Sequence, residues 1–124
     1  MFDGLRTVIY PVSDLAQAKG WYSALLGQEP YFDQPFYVGY TVGGFELGLD
    51  PNGASAQPDG GGPRTYWGVR DIDLAFRRML DLGAIERDPI QDVGDGIRVA
   101  ALTDPFGNGI GIIENPHFNL ADVR

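Results

Sequence analysis

The sequence predicts an α+β fold in which two βαβββ modules make one domain. Three observations predict it. The plan strand, Asp, helix, Gly occurs twice, the copies stand 57 residues apart at Asp14 and Asp71, and each is followed by short strand segments separated by turn residues. A chain of 124 residues has the size of one compact domain with a substantial core. The reading is therefore a single domain over 1–124, made of a module at 5–50, a linker at 51–63, a second module at 64–115 and a tail at 116–124.

The first strand carries Val8, Tyr10 and Val12 at alternating positions, so these can share one face of a sheet; Thr65, Trp67 and Val69 repeat the pattern in the second module. Asp14 and Asp71 follow as N-caps. Each carboxylate can accept from amides of the first helical turn, and its charge suits the positive end of the helix. Leu15, Ala18, Tyr22, Leu25 and Leu26 then fall at helical spacing before Gly27, and Ile72, Ala75, Phe76, Met79, Leu80 and Leu82 do so before Gly83. Both glycines suit a left-handed helix end. The strand segments that follow are 31–33, 36–42 and 45–50 in the first module, with Gly43-Gly44 as a two-residue hairpin turn. In the second they are 84–87, 97–103 and 108–114, with Asp104-Pro105-Phe106-Gly107 as the last turn. The segment from Pro51 to Pro63, rich in Gly, Pro, Ala and Asp, reads as a mobile linker.

Composition removes several function classes. With no cysteine there is no disulfide, thiolate ligand or cysteine nucleophile. A net charge of −8 and nine scattered basic residues speak against a nucleic-acid partner and are compatible with a cationic ligand. No apolar run approaches the roughly 18 residues of a membrane span, so no membrane partner is expected. Residues 1–6 lack the features of a secretory signal, and a cytoplasmic location is the expectation. The single histidine, His117, stands in the tail, where a surface or dimer contact fits better than a ligand role. There is no Gly-x-Ser-x-Gly elbow and no paired nucleophile and base. The glycines at 60–62 and 107–111 lack the context of a phosphate loop.

The segment Val12-Ser13-Asp14-Leu15, with Trp21-Tyr22 and Leu26-Gly27, resembles the opening module of the vicinal oxygen chelate superfamily of glyoxalases, bleomycin-resistance proteins and extradiol dioxygenases. Val69-Arg70-Asp71-Ile72 and Asp104-Pro105-Phe106-Gly107-Asn108 resemble its second module, in the expected order. The resemblance spans about residues 5–115 and implies two sheets paired around a ligand cleft, often in a homodimer. It also implies four metal-ligand positions. Counted from the capping Asp residues, the first-strand positions are Thr7 and Arg64; the last-strand position of the second module, three residues after Asn108, is Gly111; its equivalent in the first module is Glu46. Thr, Arg and Gly make no divalent-metal site, and a guanidinium repels the ion. Neither a metal nor another cofactor is predicted.

Strand alternation puts Glu46 opposite in facing to Phe45 and Leu47, and so in the cleft. Thr7, Ile9, Tyr37, Gly39, Thr41 and Gly48 share that face in the first module, and Arg64, Tyr66, Gly68, Gly111 and Ile113 in the second, with Arg98 as a further candidate. Glu46 and Arg64 either neutralise each other at the cleft edge or orient a polar ligand. The glycines at 39, 48, 68 and 111 leave space for a ligand. The leading expectation is a metal-independent protein of the bleomycin-resistance type that sequesters a partly aromatic small molecule, and the acidic net charge is compatible with a cationic one without demanding it. A lyase or isomerase of the same superfamily, with or without a divalent metal, with Glu46 as general base and Arg64 stabilising an oxyanion is the alternative. A partner-binding module using the aromatic segment 31–40 is a third reading, distinguished by a cleft filled with the chain's own side chains.

Overall fold

The computed structural model describes residues 1, 4–52 and 65–122. The elements run β1 (Thr7–Pro11), α1 (Leu15–Leu26), β2 (Phe32–Gln34), β3 (Tyr37–Val42), β4 (Phe45–Asp50), β5 (Tyr66–Gly68), α2 (Ile72–Asp81), β6 (Ile85–Gly94), β7 (Ile97–Thr103) and β8 (Gly109–Glu114), followed by a 3-10 turn at Leu120–Asp122. The linker falls outside the described residues from position 53 onward, as does Arg64.

The caps act as the sequence implies. Asp14 accepts from the Gln17 amide at 3.0 Å and Asp71 from the Leu74 amide at 3.1 Å, both from extended backbone. Gly27 ends α1 in the left-handed region at φ 67°. After α2 the chain turns through Gly83, and the Ala84 amide reaches back to the Met79 carbonyl at 3.0 Å.

Each module forms one four-stranded mixed sheet, ordered β1-β4-β3-β2 and β5-β8-β7-β6. In each, the first strand lies parallel to the last, because the intervening helix carries the chain across the sheet and allows the return. The one large departure from the sequence reading is β6, expected over 84–87 and found over Ile85–Gly94. Its pairing with β7 is broken by three register shifts, and it is the outer strand, where Pro89 removes no inner ladder bond. No helix among the described residues is long and apolar enough to cross a membrane.

Both helices pack on the same side. Tyr10, Val12, Tyr22, Tyr40, Leu47 and Leu49 of the first module join Ile72, Met79, Leu102, Ile110 and Ile112 of the second in one buried cluster. A polar seam ties the modules at its centre. Asp104, 2% exposed, accepts from the Tyr22 hydroxyl at 2.6 Å and from the Phe106 and Asn108 amides at 2.8 and 2.7 Å. Asn108 in turn donates to the Pro11 carbonyl at 2.9 Å. Trp67 Nε1 donates to the Tyr10 hydroxyl at 3.1 Å and Trp21 Nε1 to the Leu82 carbonyl at 2.7 Å. Burial, and then the Asp104 charge, hold the Tyr22 phenol well above its ordinary pKa, so it stays a donor.

Candidate functional site

With the helices and the shared core on one side of the sheets, the opposite faces form the cleft. In the first sheet one row reads Thr7, Glu46, Thr41 across β1, β4 and β3, and the next reads Ile9, Gly48, Gly39. Phe32 stands opposite Gly39 and so belongs to the same face. Its ring lies 6.0 Å from those of Phe36 and Tyr37 and 6.5 Å from that of Tyr31, which makes an aromatic wall along the free edge.

Glu46 is the centre of that face. Tyr31 donates its hydroxyl to one carboxylate oxygen and Tyr37 donates to the other. These bonds, that of Tyr31 first, hold the Glu46 carboxyl below its ordinary pKa against a small opposing effect of burial. The phenols move the other way: hydrogen bonding to Glu46 raises Tyr31, and burial together with Glu46 raises Tyr37. The triad therefore stays as one carboxylate and two neutral donors across the ordinary pH range.

The glycines of the cleft are not equivalent. A Cβ at Gly48 would lie 2.5 Å from Tyr37 Cζ, and one at Gly111 would lie 2.6 Å from both the Thr65 carbonyl oxygen and Tyr66 Cδ1. Tyr37 and Tyr66 thus lie over two of the glycine positions read as ligand space. At Gly39 the Tyr31 and Tyr37 rings stand 3.3 Å away, and only Gly68 faces open space. The cleft is partly lined by its own tyrosines, and the vacant volume is smaller than four bare glycines imply.

Strand register also corrects one equivalence. The 57-residue repeat carries Ile9 onto Tyr66, and these pair with Gly48 and Gly111. Gly48, not Glu46, is the counterpart of Gly111; Glu46 corresponds to Gly109. The hairpin turn alone could not show this, because a shift of two residues preserves the facing of every side chain.

Of the other residues expected in the cleft, Thr7, Ile9, Tyr37 and Thr41 share the face of Glu46, and Tyr66 covers Gly111. Arg98 does not join them. It lies on the helix side, where its guanidinium makes two bonds to Asp73 at 2.9 and 3.0 Å and approaches Glu114 at 4.0 Å. Val99 and Ala101, paired with Ile113 and Gly111, take the cleft side of β7 instead. The Glu114 carboxylate accepts from the Ile72 amide at 3.0 Å and so serves the start of α2. His117 Nε2 lies 2.8 Å from the Asp95 carbonyl oxygen, at the β6–β7 turn.

Two cleft residues escaped sequence reasoning. Tyr31 was only part of an aromatic segment, and its bond to Glu46 spans 15 residues. Arg87 sits on β6, yet its Nη1 lies where a Cβ of Gly109 would come within 2.9 Å. A guanidinium from the outer strand therefore crosses β7 to lie above β8. No local pattern signals this, since it depends on the order of three strands and on the irregular register of β6.

The residues do not fit a divalent ion at the position the fold implies. Thr7 offers a hydroxyl, Gly48 and Gly111 offer no side chain, and phenol rings lie over both glycines. Among the described residues no group of three or more His, Asp or Glu side chains comes together. A separate surface depression of about 410 Å3 lies between the first turns of α1 and β2, lined by Leu15, Lys19, Asp33 and Val38. Its charges, Lys19 and Asp33, bond to each other at 2.5 Å.

Two sheets of this topology around an open cleft define a class. Residues 4–112 match the model of the glyoxalase/bleomycin resistance protein/dioxygenase superfamily, and the chain belongs to that superfamily. It is 28% identical over 121 residues to the protein named "Putative glyoxylase CFP32" of Mycobacterium bovis and Mycobacterium tuberculosis; the match takes in 90% of this chain and 46% of the relative, so the chain spans about half the length of these curated proteins. A glyoxalase-related enzyme from Fulvimarina pelagi superposes with a TM-score of 0.76 at 20% identity, over 99% of this chain and 96% of that one. A glyoxalase/bleomycin resistance protein/dioxygenase from Alicyclobacillus acidocaldarius does so with a TM-score of 0.71 at 17% identity, over 98% and 96%. At such identities the superpositions show the fold alone.

Proposed function

We propose that the chain is a metal-independent small-molecule-binding protein of the bleomycin-resistance type, which sequesters a partly aromatic ligand with a cationic group in its cleft. The observation that carries this reading is Glu46 with its two phenols. The carboxylate is kept ionised beside exposed aromatic faces, an arrangement suited to a cation, while the counterpart positions Gly48 and Gly111 are covered by tyrosine rings. The same bonds argue against Glu46 as a general base. Two donors and a lowered pKa weaken its pull on a carbon-bound proton, so the lyase or isomerase reading is the lesser one.

The proposal includes a homodimer and a cytoplasmic location. Support for the dimer comes from Tyr31, Phe32 and Phe36, exposed along the free edge of the first sheet. Light scattering at micromolar concentration should return twice the chain mass.

Thermal-shift screening of cationic and neutral aromatic compounds tests the binding reading. A rise in Tm with cationic aromatics, reduced in Glu46→Gln, is the expected result; a library in which no compound raises Tm would sink it. Elemental analysis of the purified protein should find no stoichiometric nickel, zinc, iron or manganese.

A further inference from the structure

Resting on that reading of the cleft, we infer that its ligand is a zwitterion with an aromatic body, its cationic end held at Glu46 on the first sheet and its anionic end at Arg87 on the second. The two groups occupy corresponding places. Thr7 pairs with Glu46 on β4, and the strand pairing that matches Gly48 to Gly111 matches Glu46 to Gly109 of β8, over which the Arg87 guanidinium lies. Gly109 is what admits it: a Cβ there would come 2.9 Å from Nη1 and push the guanidinium away. Where the first module presents a carboxylate, the second presents a permanent cation.

Both charges are available to a ligand. Arg87 has no hydrogen-bond or ion-pair partner among the described residues, in contrast to Arg98, which Asp73 engages. Among the described residues Glu46 is bonded by two neutral phenols, which orient its charge without cancelling it. A guanidinium takes a carboxylate or phosphate through paired N–H donors, and a carboxylate beside tyrosine faces takes an ammonium. Gly68, the one cleft glycine with open space around it, leaves room between the tyrosines for the body of the ligand. A molecule bearing one charge would leave the opposite pole unpaired, which costs affinity when water is displaced.

Three probes of one body test the inference by titration calorimetry: the dipeptide phenylalanyl-phenylalanine, its N-acetyl form, which lacks the cation, and its C-amide form, which lacks the anion. The free dipeptide should bind about tenfold or more tighter than either capped form, the range expected for losing one charged contact. Glu46→Gln should erase the penalty of acetylation and keep that of amidation; Arg87→Gln should do the reverse, with Arg87→Gln keeping the wild-type Tm without ligand and Glu46→Gln lowering it only slightly. Equal binding of all three probes, a penalty from one cap only, or a ranking untouched by the variants overturns the two-pole assignment. So does failure of all three dipeptides while other aromatic compounds raise Tm, which leaves the binding reading standing. Only the absence of any binding compound removes both.

Discussion

The two modules use one plan on the helix side and two different plans on the cleft side. Asp14 and Asp71 cap their helices with bonds of 3.0 and 3.1 Å, and β1 lies parallel to β4 as β5 does to β8. In the cleft, the tyrosine over Gly48 comes from β3, whereas the one over Gly111 comes from β5. Glu46 projects from the first sheet where the second has Gly109 beneath Arg87. The constraint of a common core preserved the packed faces, and the open faces were free to diverge in charge and shape.

Breaking the joint between the modules should have the largest effect. Asp104→Ala strands the Tyr22 hydroxyl and the Asn108 amide in the core, and denaturant unfolding should show a loss of about 3–5 kcal/mol. The glycine pair sharpens the comparison. Gly111→Ala meets a backbone carbonyl that cannot swing aside and should cost about 2–3 kcal/mol, while Gly48→Ala meets a phenol that can move and should cost about 1–2 kcal/mol. Adding Tyr37→Leu should recover much of the second loss and none of the first. Gly68→Ala, with open space around it, should change stability by less than about 0.5 kcal/mol.

The smallest effect is in acid. The folded-state pKa of Glu46 is lowered, so its contribution to stability is complete above the ordinary glutamate value of about 4.3 and is lost as pH falls through the folded value. Stability profiles below that pH should be less steep for Tyr31→Phe, and less steep again when Tyr37→Phe is added. Because the group is only half-buried, solvent screening keeps the difference small.

Much of the fold was legible because its signals are local. The capping aspartates, the helical spacing from Leu15 to Leu26 and the Gly43-Gly44 turn each act within a few residues, and β4 and β7 occur at the expected bounds. The strand β6 was legible only in its first residues, since Pro89 and the polar run through Asp92 obscure alternation that the irregular edge pairing tolerates.

The candidate site divides in the same way. Sequence alone determined that Glu46, Tyr37, Thr7 and Ile9 face away from the helices, because facing along a strand follows from its period of two. It also determined the absence of cysteine. Tertiary structure alone decided that Tyr31 bonds Glu46, that Arg98 pairs with Asp73 on the helix side, and that Arg87 lies over Gly109. Each of these depends on which strands are neighbours and in what register. Local propensity carries no information about either, because long-range pairing is selected by the packing of the whole core.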